Sequence, residues 1–214
     1  MNHQQLLEIF LKGGPIMWPL LLVSIAALAT VLERLVFLAT EKSRRNRREL
    51  RDVFARVERG DADGAVKLGR GSRDYVARVM TAALEERKSS FTNALLAASA
   101  EELKRFNRGL PLLDTVITLS PLLGLLGTVV GMIHSFGLIA GDLDAPAAIT
   151  GGIAEALIAT AFGLGVAITA LIPFNYLNAK LEDARRELEV AGNRLEILLM
   201  KHNPAPTSSI PQEA

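Results

Sequence analysis

Between Pro146 and Lys180 only one charged side chain occurs, Glu155, inside the apolar run IAEALIATAFGLGVAITALI. A second long apolar run precedes it, from about Leu110 to Ile139, and the short polar stretch Gly141 to Pro146 separates the two. Each run exceeds the roughly 20 residues that a bilayer core requires of a helix. In lipid the backbone must satisfy its own hydrogen bonds, so a continuous helix is the expected state of both. A third run, Ile16 to Leu38, has the same character, with Trp18 at its outer end and Pro19 in the first turn. Three transmembrane helices follow, at 16–38, 110–140 and 149–178, and the fold class is all-α.

A charged group at mid-helix costs about 2.5–3.5 kcal/mol on insertion scales. Such groups face a bundle interior or a wet cavity and mark ion or proton paths. The alternative for Glu155 is a side chain that snorkels to the interface. Thr160, one and a half turns on, and Thr128 in the preceding span supply hydroxyls that donate and accept in turn. At 100° per residue Thr160 stands about 140° from Glu155, so the two do not share one narrow stripe.

The formal net charge of +1 conceals strong segregation along the chain. Glu41 to Leu110 carries 17 Lys and Arg against 11 Asp and Glu, beginning with Lys42, Arg44, Arg45, Arg47, Arg48 and Arg51. The turn at 141–148 has two aspartates and no base. The positive-inside rule puts the loop 39–109 and the C-terminus in the cytoplasm, and the N-terminus and the turn outside. The Arg cluster abuts a span and is interleaved with acids, so nucleic acid is not an expected partner. The chain has no cysteine and three scattered histidines, without metal-ligand spacing. No phosphate loop or nucleophile elbow occurs; neither enzyme activity nor a cofactor is expected.

Other readings attach to the ends and the loop. Residues 1–15 read as an N-terminal interfacial segment broken at Gly13-Gly14-Pro15, and a cleaved signal peptide ending near Ala29 is the competing reading. Glu33 and Arg34 read as structural, pairing with neighbours or snorkelling. Within the loop, helices are expected over Lys42–Arg59, from Asp61 to Leu68, from Ser72 or Asp74 to about Lys88, and from Ser90 or Thr92 to the membrane. A kink is expected at Pro173. Beyond it, Leu177, Leu181, Ala184, Leu188, Ala191, Leu195 and Leu198 form a heptad seam, so 179–202 is a cytoplasmic amphipathic helix. Residues 203–214 read as a disordered tail.

Small residues recur at helical spacing. Gly124, Gly127 and Gly131 lie on adjacent ridges of the second span, with Ser120, Thr128 and Ser135. Gly152, Ala156, Ala159, Gly163 and Ala167 run down the third. In lipid such ridges let backbones approach closely. Packing on several sides indicates a homo-oligomer.

The strings PLLGLLGTVVGMIHSF (Pro121 to Phe136) and GGIAEALIATAFGLGVAI (Gly151 to Ile168) resemble the ExbB/TolQ/MotA proton-channel family. The three-span layout is most similar to the ExbB/TolQ branch, since MotA-type stators have a fourth span. The resemblance implies a pentameric ring in the bacterial inner membrane around a dimer of a single-span ExbD/TolR-type partner. It implies use of the proton motive force, passed on through a TonB-like or TolA-like protein. Glu155 matches the family's glutamate, and Thr128 and Thr160 its pore-lining threonines. A partner aspartate would carry the proton between Thr160 in the lumen and Glu155 nearer a subunit boundary. His134 stands where a small polar residue is found in relatives and reads as interfacial. Thr169 stands where many relatives have proline. A scaffold in which Glu155 only fixes packing, and a small secondary transporter, are the other readings; the latter lacks an inverted repeat.

Overall fold

The computed structural model describes residues 10–137 and 145–202. Among them every regular element is helical: α1 (Met17–Arg44), α2 (Arg47–Glu58), α3 (Ala62–Gly69), α4 (Tyr75–Glu85), α5 (Arg87–Asn107), α6 (Leu110–Gly137) and α7 (Ala145–His202). The tail 203–214, most of the turn 141–148 and residues 1–9 lie outside the described residues. The chain divides into two units, Met1–Val36 with Gly109–Asn178, and Phe37–Arg108 with Ala179–Ala214.

The first unit holds the apolar spans. α1, α6 and α7 each contain an 18-residue window of mean hydropathy 2.1, long enough to cross a bilayer. Its packing inverts that of a water-soluble core. Leu22 is 70% exposed and Ile172 71%, whereas Ala159 is 1% and Ser120 0% exposed. Lipid tails solvate large apolar side chains as well as a core does, so the interior is given to small residues that bring backbones together. A Cβ on Gly163 of α7 would lie 2.5 Å from the Ser120 carbonyl oxygen of α6. One on Gly124 would lie 3.0 Å from Thr160 Cα, and one on Gly131 would lie 3.1 Å from the Gly152 carbonyl oxygen. Gly127 faces the Ala159 methyl in the same way, and Ala156 and Ala167 are buried. The buried hydroxyls of Ser120 and Ser135 donate within α6, to the carbonyls of Val116 (2.7 Å) and Gly131 (2.8 Å). Both α6 and α7 run as helices through a proline, Pro121 and Pro173. Buried Arg34 pairs with its neighbour Glu33.

The second unit has an ordinary core. Val53, Phe54 and Val57 of α2, Val76, Val79, Met80 and Leu84 of α4, and Leu181, Leu188 and Leu195 of α7 are buried. Asp61 caps α3 by accepting from the Gly64 N–H at 2.8 Å, and Asp74 caps α4 by accepting from Val76 (2.9 Å) and Ala77 (3.3 Å).

Three boundaries differ from the expectation. The helix anticipated over Lys42–Arg59 is two helices: α1 ends at Arg44, and Asn46 begins a new one by accepting from the Glu49 N–H at 3.3 Å. The break is held because the Asn46 N–H donates to Asp74 Oδ2 at 2.8 Å, an interaction outside the helix. The α4 helix stops at Glu85 instead of near Lys88. The next helix starts at Arg87, and the backbone at Ser90 leaves helical geometry (φ −164°, ψ 92°), so the regular part begins after it.

Candidate functional site

Glu155 lies ten residues into α7, half-buried, and faces the N-terminal turn. A Cβ built on Gly14 would overlap Glu155 Oε1 and lie 2.7 Å from its Cδ. Gly14 has φ +74°, a conformation that glycine adopts without cost. The Gly13 N–H donates to the Phe10 carbonyl (3.2 Å) and the Met17 N–H to the Gly14 carbonyl (3.2 Å). Met17 and Leu20 are fully buried with Ala159, one turn beyond Glu155, and Phe10, Ile16, Leu123 and Phe162 pack around them. Phe10 and Trp18 meet edge to face at 5.3 Å.

The two threonines sit differently. Thr160 donates from α7 to the Gly124 carbonyl of α6 at 2.9 Å. The short approach at Gly124 brings that carbonyl within reach, so the hydroxyl is already engaged in joining two helices. Thr128 donates to Leu125 of its own helix at 2.6 Å. Among the described residues no hydrogen bond joins the Glu155 carboxyl to either hydroxyl. His134 and Asp114 are exposed. No group of three or more His, Cys, Asp or Glu among the described residues is placed to hold a metal ion.

A second polar constellation, missed by sequence reasoning, lies within the unit of Phe37–Arg108 and Ala179–Ala214. Arg45 bridges Asp74 (2.7 Å) and Glu187 (2.8 Å) while its guanidinium lies 4.7 Å over the Tyr75 ring. Tyr75 donates to Glu187 at 2.5 Å. Burial, and then that bond to an anion, push the Tyr75 hydroxyl well above its ordinary range. Beside it Arg78 forks onto Glu102 through two 2.9 Å bonds, with buried Glu41 at 3.6 Å. The Glu102 hydrogen bonds raise the Arg78 pKa further. Asp74 was recognisable as a helix cap, but its second task of holding Arg45 has no signature in spacing.

A family profile described as the MotA/TolQ/ExbB proton channel family matches residues 72–190, more than half of the chain. The chain is 38% identical over 216 residues to a putative biopolymer transport protein ExbB-like 1 of Synechocystis sp., covering 94% of this chain and 84% of the relative. It belongs to the MotA/TolQ/ExbB proton channel family. Shorter matches join it to the Tol-Pal system protein TolQ of Pseudomonas aeruginosa (44% over 90 residues, 42% of this chain and 39% of the relative). Another is the biopolymer transport protein ExbB of Neisseria gonorrhoeae (36% over 103 residues, 47% and 46%). The chain spans less than half the length of these two. The profile covers both Thr128 and the whole of α7 up to Val190, so the proton-channel match includes Glu155 and Thr160. Three apolar helices and this membership make the chain a multi-pass membrane protein of a transport family.

Proposed function

We propose that this chain is the proton-conducting subunit of an inner-membrane motor complex. Protons moving down the proton motive force pass through Glu155, and an ExbD/TolR-type partner transmits the resulting motion to envelope processes such as TonB-dependent outer-membrane uptake. The observation that carries the reading is Glu155, the solitary carboxylate in the apolar part of α7, in a proton-channel family. A titratable group in an apolar span is costly, so its presence there points to a function. Five copies form a ring, as the resemblance to the family implies; the small-residue faces and the α7 seam are filled within one chain, so other surfaces join the copies. The Arg-rich segment Glu41–Gly109 and the C-terminus lie in the cytoplasm, with the N-terminus in the periplasm.

Thr128 and Thr160 complete the path as hydroxyl relays. For Thr160 a specific observation favours a second reading, helix packing, since its hydroxyl already serves the Gly124 carbonyl. The test is activity dependent on the proton motive force, with a single-span partner co-expressed and the signal normalised to assembled complex. Glu155→Gln should abolish that activity at unchanged assembly; full activity in this variant would refute the proposal.

A further inference from the structure

We infer that the Gly13–Gly14 turn is the seat of the Glu155 carboxyl group, and that Gly14 is a positioning residue for proton transfer. The inference rests on the reading of Glu155 as the proton carrier. Three observations meet at this point. The carboxyl occupies the volume in which the side chain of any other residue at position 14 would begin: a Cβ there would overlap Oε1 and lie 3.1 Å from Cγ. The turn is anchored on both sides, by the Gly13 to Phe10 bond before it and by the Met17 to Gly14 bond after it. Fully buried Met17 and Leu20 then pack on Ala159, which fixes the turn against the same helix that carries Glu155.

A carboxylate that shuttles protons needs a defined position, because a displacement of about 1 Å in a reacting group costs roughly 100-fold in rate. Lateral helix contacts hold Ala156 and Ala159 of α7 against α6. They leave the flexible Glu155 side chain to be fixed by whatever faces it, and the turn does so. Gly13 and Gly14 carry no side chain, so they direct the carboxyl by shape.

Asparagine accepts positive φ better than other non-glycine residues, so Gly14→Asn retains the turn while filling the seat. Gly71→Asn is the control. Gly71 has φ +80°, and no heavy atom lies within 4 Å of a Cβ built there. The measurements are proton-driven activity per assembled complex, and labelling of Glu155 by a carbodiimide read by mass spectrometry. Gly14→Asn should lower activity by roughly 100-fold and speed the labelling as the carboxyl leaves its seat, while Gly71→Asn changes neither. Wild-type activity in Gly14→Asn, or lost activity with labelling unaltered or slower, overturns the inference. If Gly14→Asn fails to assemble, Glu155→Ala is added to empty the seat. Restored assembly supports the contact, and continued failure assigns the defect to the turn alone and overturns it. Activity that survives Glu155→Gln would instead mark failure of the underlying reading.

Discussion

The unit that carries the apolar spans and the unit built from the Arg-rich segment solve opposite packing problems. In the first, Gly, Ala and Ser line the contact between α6 and α7, and most large apolar side chains point outward, with Met17, Leu20 and Leu113 as buried exceptions. In the second, Leu, Val, Met and Tyr fill the interior and most charges lie outside, Glu41 and Asp74 being buried against arginines. The backbone is helical in both. The difference teaches that the surrounding solvent, not the helix, decides which residues go inside. Where lipid offers no hydrophobic gain for burial, close approach of backbones stabilises the bundle. Where water surrounds the fold, burial of apolar area does so, at about 25 cal/mol per Å².

That contrast can be broken most forcefully by exchanging the two rules. Adding volume should be ruinous in the first unit. Gly163→Leu would drive a side chain into the Ser120 carbonyl and the Gly124 backbone, neither of which can rotate aside. Loss of the assembled, detergent-stable protein is expected in size-exclusion chromatography; normal assembly would show that α6 and α7 do not pack through this face. Removing volume should be the damaging change in the second unit. Leu195→Ala, at a fully buried site, should cost about 2–5 kcal/mol in denaturant unfolding. A cost near zero would place the α7 seam outside the core.

Smaller effects sharpen the comparison. The Tyr75 hydroxyl is raised above its ordinary pKa of 10.0 by burial and by donation to Glu187. The folded pKa exceeds the unfolded one, so the stabilisation is full below about pH 10 and is lost as pH rises through the folded value. Tyr75→Phe should therefore cost about 1–2 kcal/mol at neutral pH and flatten the alkaline loss. Unfolding midpoints measured from pH 7 to 11 check this; an identical alkaline slope in the variant would remove Tyr75 from the account. The smallest stability effect is expected at Thr160, where hydrogen bonds inside membranes average about 0.6 kcal/mol. Thr160→Val should assemble normally, and Thr160→Ser should retain activity. If Thr160→Val also retains wild-type proton-driven activity, its bond to Gly124 is its only role and the relay bypasses it.

Much of this architecture was legible in the chain itself. The bare apolar runs announced long membrane helices, and Asp61 and Asp74 marked helix starts because each precedes an apolar periodic stretch. The break at Arg45–Asn46 was hidden by a run of good helix-forming arginines. What stabilises it is Asp74, 28 residues further on, which periodicity does not report. The same limit applies at the site. Glu155 stood out by its solitude, but its contact with Gly14 joins residues 141 positions apart and has no local signature. Thr160 was assigned by its hydroxyl, and the partner of that hydroxyl, a backbone carbonyl exposed by Gly124, is a product of packing.

The most direct test reconstitutes the chain with its single-span partner in vesicles, imposes a membrane potential with the outside acidic, and follows internal pH. Wild type should acidify the lumen, and Glu155→Gln, assembled to the same level, should be indistinguishable from empty vesicles. Proton entry at the wild-type rate through Glu155→Gln would contradict the account.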